Sequence, residues 1–337
     1  MTRSPIVSII VNNYNYGRFL GEAIDSALAQ TYPNTEVIVV DDGSTDNSRE
    51  VIAGYGERIV PVLKANGGQA SAFNAGFAAS HGDLILFLDS DDMLAPNAIE
   101  TVIRGWREGM ARLYFPLCVV DASGRPTGGV MGGTMSPDPM SGPFCGGSPT
   151  SGNVFSRAAL DKIMPIPDEH WRGCADMYVN ASSTLFGEVV RLEQPLATYR
   201  IHGRNNEACA EEVASFRNRT RLDLRLYDDL FNLTDGKMPT LENWLGTSPQ
   251  HWVRRIKLLR ERPGDYPWPD TFGSLTAHAA KACWREPGRS FRHRLAYTIF
   301  VFAYGLLPSK ATSGLRWILR TMDGRERGRT FRVLLGA

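Results

Sequence analysis

The chain has 337 residues, 43% hydrophobic and 22% charged, with a formal net charge of +1. That balance excludes a disordered chain, a collagen-like fibre and a small disulfide-stapled scaffold, and the length allows one large domain or two modest ones. The near-neutral total hides a division: residues 284–337 carry 11 basic and 3 acidic side chains, whereas the preceding chain carries 26 and 33. An acidic body with a basic end suits an enzyme whose tail faces a membrane or another anionic surface.

The opening hundred residues alternate strand and helix. Ile6 to Val11 is an apolar β-branched run of strand length, Asn12 to Gly17 a polar turn, and Phe19, Ala23, Ile24, Ala27 and Leu28 recur with helical period before Pro33. Val37 to Val40 and Ile59 to Leu63 are the next strands, separated by Asp41-Asp42-Gly43-Ser44 and a short helix through Val51 and Ile52. Asn66-Gly67-Gly68 leads into a small-residue helix, Ala70 to Ala79, and Leu84 to Leu88 ends in Asp89-Ser90-Asp91-Asp92. Near-continuous apolar strands alternating with helices imply a mainly parallel sheet covered on both faces. In such a sheet the ligand crevice lies beyond the carboxyl ends of the strands, so the four polar runs gather at one edge.

Leu113 to Val120 reads as a further strand, and Gly128 to Gly147, rich in Gly, Pro, Ser and Met, as an irregular loop able to cover the crevice. Asn153 to Phe155 leads into a short helix near Ala158 to Ile163, and Cys174 to Phe186 is a second helical stretch. Val189 to Leu192 and Leu196 to Tyr199 have strand character. From about Glu207 the period is helical, over Ala214 to Leu233, Glu242 to Leu259, Phe272 to Trp284, Phe291 to Leu307 and Thr312 to Arg320, with a break at Pro263 to Pro269. The reading is therefore an α/β catalytic domain over 1–215 with a helical C-terminal extension over 216–337.

Two carboxylates at i and i+2 after a buried strand, Asp89 and Asp91, can both reach a divalent cation, since Mg²⁺ and Mn²⁺ take oxygen ligands and share them with a substrate phosphate. Read alone, the triplet fits a solvated turn equally well. Asp41-Asp42 can accept hydrogen bonds from a sugar hydroxyl or a base N–H, although Ser44, Thr45 or Asp46 also serve as helix caps. Asn66-Gly67-Gly68-Gln69 brings backbone N–H groups to a helix start, yet it is neither a Rossmann fingerprint nor a P-loop.

Taken together, Val7-Ser8-Ile9-Ile10-Val11, Tyr14-Asn15-Tyr16, Val40-Asp41-Asp42-Gly43-Ser44-Thr45-Asp46, Asn66-Gly67-Gly68 with Asn74 and Gly76, and Phe87-Leu88-Asp89-Ser90-Asp91-Asp92 resemble the family 2 glycosyltransferases in order and spacing. The resemblance covers about residues 5 to 205. It implies a glycosyltransferase A-type nucleotide-binding sheet, an inverting mechanism, a nucleoside-diphosphate sugar donor (most often UDP-linked) and a Mn²⁺ or Mg²⁺ cofactor. Carried onto this chain, Tyr14 and Asp42 hold the nucleobase end, with Asn66, Gly67 and Asn74 also on the donor side. Asp89 meets the ribose and Asp91 the metal. The family's late catalytic acid corresponds to Asp176, although Ala175 stands where the family usually has Glu. Tyr199 to Asn206 is similar to the segment closing over the diphosphate, which makes His202 a metal or phosphate ligand and Arg200 and Arg204 phosphate partners. Thr150, Ser151, Gly152 and Asn153 fall on the acceptor side, the acceptor being a glycan or a lipid-linked glycan of the cell envelope.

Five widely spaced cysteines, Cys118, Cys145, Cys174, Cys209 and Cys283, suit reduced thiols in a cytoplasmic setting, and no secretion signal is evident. The longest uncharged apolar run, Leu295 to Leu307, is shorter than the roughly 20 residues a membrane-crossing helix needs. Trp284 to Arg294 mixes arginines with Trp284 and Phe291 just before this run. That fits equally a surface helix on anionic lipid, at the cytoplasmic membrane face, and a helix packed on the protein with its arginines in water. No nucleic-acid-binding motif accompanies the basic end. Rival classes are a nucleotidyltransferase, which would need a basic residue in an N-terminal glycine-rich loop that Asn12 to Gly17 does not supply, and a non-catalytic carbohydrate- or lipid-binding scaffold, against which the joint presence of Asp91, Asp176 and His202 argues.

Overall fold

The computed structural model describes residues 4–133, 142, 147–203, 213–261, 263–286 and 290–306. The chain divides into two units, one running through residue 204 apart from 138–146 and the other taking that segment and residues from 205 onward.

The first unit is built on strands β1 (Val7–Asn13), β2 (Thr35–Asp42), β3 (Val60–Lys64), β4 (Leu84–Asp89), β5 (Met93–Leu94), β6 (Met110–Tyr114), β7 (Leu117–Val120), β8 (Pro126–Met131), β9 (Asn153–Ser156), β10 (Glu188–Arg191) and β11 (Ala197–Arg200). Its helices are α1 (Gly17–Leu28), α2 (Ser48–Ala53), α3 (Gln69–Ala79), α4 (Ala98–Gly105), two single turns, α5 (Arg157–Leu160) and α6 (Asp168–Trp171), and α7 (Ala175–Ser183). Seven strands form the main sheet in the order β10-β6-β9-β4-β1-β2-β3, and β5-β11-β7-β8 form a second. β1 lies parallel to β2 and β4, whereas β9 inserts antiparallel between β4 and β6.

The alternation of side chains explains the layers. Ile9, Val11, Val37, Val39, Leu86 and Leu88 face one way and pack with Leu20, Ala23, Ile24, Ala27, Ile99 and Val102 of α1 and α4. On the other face, Phe87 stacks on Phe73 of α3 at 4.0 Å between ring centroids. A Cβ at Gly76 would lie 2.3 Å from Ile10 Cγ2, so the small-residue composition of α3 is what lets it sit against the sheet.

Three expectations are corrected. Leu113 to Val120 is two strands in different sheets, because Pro116 removes a ladder N–H and turns the chain between Tyr114 and Leu117. Gly128 to Met131, expected within a loop, belongs to β8, which pairs with β7, while 134–141 and 143–146 lie outside the described residues. The short helix expected near Ala158 to Ile163 is the single turn α5 at Arg157–Leu160, and Asn153 to Phe155 leads into it as part of β9.

The second unit contains α8 (Val213–Leu233), α9 (Leu241–Leu245), α10 (Pro249–Glu261), α11 (Phe272–Arg285) and α12 (Phe291–Leu306). The single helix expected over Glu242 to Leu259 is thus two, since Gly246 ends α9 and Pro249 opens α10, where its missing N–H costs nothing. α11 starts with a reciprocal Thr271–Ser274 capping box. The helix expected over Thr312 to Arg320 lies outside the described residues. Among the described residues no helix is long and apolar enough to cross a membrane.

Candidate donor-binding and catalytic site

The parallel register sets Asn12 of β1 beside Asp89 of β4 and Asn13 beside Asp41 of β2, all at the carboxyl edge. Asn12 Nδ2 donates to Asp89 Oδ1 at 2.9 Å. Asp89 ends β4, and Asp91 and Asp92 follow within one turn, closed by Asp92 N donating to the Asp89 carbonyl at 3.0 Å. Burial pushes the Asp89 carboxyl up to about 7, helped by the charges of Asp91 and Asp176 and opposed by hydrogen bonds from Asn12 and Thr150. Burial, with the charges of Asp91 and Asp89, likewise raises Asp92 well above the usual carboxylate range. The cluster therefore holds more negative charge than its protein surroundings compensate.

A short helical turn, Thr150–Gly152, roofs this group. Ser151, fully buried, donates to Asp92 Oδ2 at 2.6 Å and accepts from Asp89 N at 3.1 Å. Asn153 Nδ2 donates to the carbonyls of Ser148, Pro149 and Thr150 and so fixes the turn. Asp176, in the first turn of α7, borders a narrow gap shared with Thr150, Phe155, Phe73, Phe87 and Asn180.

On the opposite side, His202 Nε2 lies 2.9 Å from Asp91 Oδ2 with its ring enclosed by Tyr16 and Phe19. Arg200 is buried: Nε donates to the Asp91 carbonyl at 2.9 Å, Nη2 to Glu22 Oε2 at 2.6 Å, Nη1 to the Ala122 carbonyl at 3.3 Å, and the guanidinium stacks 4.7 Å from the Phe19 ring. Its backbone N–H donates to Asp92 Oδ1 at 3.1 Å. The side chain expected at the diphosphate is thus engaged in fixing the Asp91 backbone.

A second group surrounds Asp42, whose carboxylate accepts from Lys64 Nζ at 2.6 Å, Gly67 N at 2.9 Å and Gly68 N at 2.7 Å. Asn66 Nδ2 donates to the Asp42 carbonyl at 3.0 Å. Gly68 has φ +88°, and a Cβ there would stand 2.3 Å from Arg172 Cγ, so the turn needs glycine twice over. Gln69 N donates to the Arg172 carbonyl at 2.6 Å, Gln69 Oε1 accepts from Ala175 N at 2.9 Å, and Arg172 hydrogen-bonds Asn66 Oδ1. Asn74 exchanges two hydrogen bonds with the Ile166 backbone. Asp41 is held below the usual carboxylate range: burial works against this, but Ser44, Arg49 and Asn13 donate to it.

Of the residues singled out from sequence, Asp89, Asp91, Asp176, Thr150, Ser151, Arg200 and His202 fall into one connected group. Asp42, Asn66 and Gly67 form the second, and Tyr14 stands half exposed after β1. Asn74 is committed to Ile166, and Arg204 lies outside the described residues. Sequence reading missed the linking residues Asp92, Gln69, Lys64 and Arg172. Asp92, adjacent to the acidic triplet, and Gln69, which closes the Asn66-Gly67-Gly68-Gln69 run, stood inside motifs already singled out, whereas Lys64 and Arg172 carried no signal. A cavity of about 360 Å³ lies between the turns after β1 and β2, lined by Asn15, Tyr16, Arg18, Thr45, Asp46 and Asn47 and by none of Asp89, Asp91 and Asp176.

A carboxylate and an imidazole side by side, next to an excess of negative charge, are a donor set that suits a small divalent cation. Among the described residues no group of three or more His, Cys, Asp or Glu is arranged to hold one, so Asp91 and His202 would need oxygens from another molecule to complete it.

Comparison with known proteins agrees with this architecture. The model of glycosyl transferase family 2 matches residues 8–131. An uncharacterized glycosyltransferase of Nostoc sp. (alr2836) is 38% identical over 221 residues, covering 62% of this chain and 69% of that protein. One from Rickettsia typhi is 48% identical over 99 residues, 29% of this chain, and the chain spans only 31% of its length. S. aureus TarS 1-349, solved in complex with UDP-GlcNAc, superposes with a TM-score of 0.51 at 16% identity over 93% of this chain and 92% of that one. The chain belongs to glycosyl transferase family 2 and has the glycosyltransferase A-type fold, a mixed sheet flanked by helices with a helical C-terminal region.

Proposed function

We propose that the protein transfers a sugar, with inversion, from a nucleoside-diphosphate sugar to a hydroxyl of a glycan or glycolipid acceptor in envelope polysaccharide synthesis. The observation that carries the reading is the convergence of Asp89, Asp91, Asp176 and His202 at the carboxyl edge of β1 and β4 in a chain of this family. UDP is the nucleotide most frequent in the family, and TarS, with a like fold, was solved with UDP-GlcNAc.

In this reading Tyr14 and Asp42 receive the nucleobase end, with the Asn66–Gly67 turn held in place by Lys64 and Asp42. Asp89 accepts from the ribose, and Arg204 adds positive charge near the phosphates. Thr150 to Asn153 shape the acceptor side. A sugar hydroxyl is a weak nucleophile near neutral pH, so Asp176 takes its proton as the oxygen attacks the anomeric carbon. The anomeric carbon–oxygen bond to the diphosphate breaks on the opposite face and the diphosphate leaves. Asp91 and His202 would hold Mn²⁺ or Mg²⁺ together with diphosphate oxygens. When bound, the cation would neutralise part of the leaving group's charge. The basic C-terminal region, with 11 basic and 3 acidic side chains over residues 284–337, supports a reading in which this work is done at the cytoplasmic membrane face.

The test is donor turnover across a panel of UDP-, GDP- and dTDP-sugars with Mn²⁺, Mg²⁺ or EDTA. One donor is expected to be consumed in a metal-dependent way, and Asp91→Ala to abolish this. Asp176→Asn should cut turnover about a thousandfold while donor binding, read by calorimetry, changes little. Metal-independent nucleotide binding with no turnover of any donor would sink the reading.

A further inference from the structure

α12 is apolar on two faces. Tyr297, Phe300, Val301 and Tyr304 are buried, and Gly305 lies so close to α11 that a Cβ would meet Thr276 Oγ1 at 2.0 Å. The Tyr304 and Gly305 carbonyls also accept from Arg260 of α10. On the other face Phe291, Leu295, Ile299, Phe302 and Leu306 are 42–67% exposed. At 3.6 residues per turn these five fall within an arc of about 80°, one continuous stripe. Trp284, exposed at the end of α11, extends it by an edge-to-face contact with Phe291 at 5.6 Å. A helix apolar all round is ordinarily covered all round, so this stripe calls for a partner.

Charge decides which partner. Over residues 272–306 the basic side chains are Lys281, Arg285, Arg289, Arg292 and Arg294, and Glu286 is the sole acid. Glu286 is buried, whereas Lys281, Arg285 and Arg292 are exposed. A second copy of the chain would bring the same positive surface against itself, and a nucleic acid would offer the stripe no apolar phase. An anionic lipid surface supplies both what the stripe and what the arginines need. The uncharged apolar run that holds most of the stripe, Leu295 to Leu307, is 13 residues, against the roughly 20 that a crossing helix needs, so the stripe suits a helix lying in the plane of the interface.

We infer that the Phe291–Leu306 stripe, with Trp284 at its head, Arg292 beside it and Arg285 following Trp284 in the chain, docks the protein on an acidic membrane surface. The inference rests on the proposed lipid-linked or envelope acceptor for its biological sense, but docking itself requires no turnover.

The experiment is co-sedimentation of the full chain with vesicles of phosphatidylcholine alone and of phosphatidylcholine with phosphatidylglycerol. Binding is expected to the mixed vesicles, to weaken with salt, and to survive Asp91→Ala, which separates docking from the catalytic reading. Ile299→Asp with Phe302→Asp should reduce binding about tenfold or more, and Arg285→Glu with Arg292→Glu should reduce it comparably. An unchanged thermal unfolding profile confirms that both variants fold. No binding to mixed vesicles, or binding that the Ile299/Phe302 variant retains, overturns the inference. So does a wild-type dimer that this variant converts to monomer without any vesicle binding, which would make a second copy the occupant.

Discussion

Arg200 shows how a side chain that reads as a ligand contact can act through the backbone it holds. Its main-chain N–H and its guanidinium hydrogen-bond Asp92, Asp91, Glu22, Ala122 and the Met93 sulfur, and its plane stacks on Phe19. A lysine has one ammonium in place of a rigid fork and cannot serve the Asp91 carbonyl and Glu22 in this geometry while stacking on the ring. Arg200→Lys is therefore expected to lower stability by about 2 kcal/mol, chiefly through the poorly satisfied Asp91 carbonyl, since Glu22 is half exposed and contributes little. Urea unfolding checks this, and a midpoint equal to wild type would return Arg200 to the role of a phosphate partner. The sequence pointed to Asp89 and Asp91 because they come at the end of an apolar strand, where the ligand edge of such a sheet lies, and to Asp176 only through the family resemblance. It could not show which polar residues serve the ligand and which hold the site together. Asn74 and Arg200 differ from Tyr14 only in what surrounds them, and surroundings separated by 92 residues for Asn74 and 178 for Arg200 leave no local trace.

At the scale of elements, the Asn66–Gln69 turn is the link between the nucleobase end and α7. Asp42 holds it from one side through Gly67 and Gly68, and Gln69 reaches from the other to the first N–H of the helix that carries Asp176. A helix of nine residues with no capping side chain at Cys174 relies on such outside acceptors for its orphan donors. Gln69→Leu removes the acceptor and should lower kcat on the order of tenfold to a hundredfold by letting Asp176 drift, with donor affinity nearly unchanged. Gln69→Glu keeps an oxygen there and should recover most of the rate. Equal damage from both variants would show that the cap is not what matters. The strands of the first unit were legible because a strand covered on both faces needs an unbroken apolar run, and β1, β2 and β4 are such runs. β8, with five of its six residues exposed, has no such requirement and so resembled a loop. The split between α9 and α10 rested on Gly246 and Pro249, weaker signals than the continuous apolar period around them.

At the scale of the whole molecule, the second unit is held by buried charge of a kind absent from its sequence pattern. His251 of α10, fully buried, shares Asp223 of α8 with Arg254: His251 Nδ1 is 2.7 Å from Asp223 Oδ2, and Arg254 bonds the same oxygen. Burial holds the His251 ring below its usual value of 6.5, with Arg254 and Arg255 adding to the effect and Asp223 opposing it. For Asp223, burial acts upward, but Arg254 and His251 bring the carboxyl below its usual 3.8. Well above pH 6.5 the imidazole is neutral in both folded and unfolded chains and contributes no pH dependence. Below that value the unfolded chain takes up a proton that the folded one resists, so stability falls as the pH drops from 6.5 towards the folded-state value. Asp223 adds a second loss only below 3.8, as the pH falls through its own depressed value. Five of the seven tryptophans lie beyond residue 204, and Trp252 stands edge-on to His251 at 5.1 Å, so tryptophan fluorescence reports mainly on this unit. Its urea midpoint is expected to be lower at about pH 5 than at about pH 7.5. His251→Asn, which keeps a donor for Asp223 but does not titrate, should shrink that difference. A pH difference undiminished in the variant would show that His251 is not the source of the acid sensitivity.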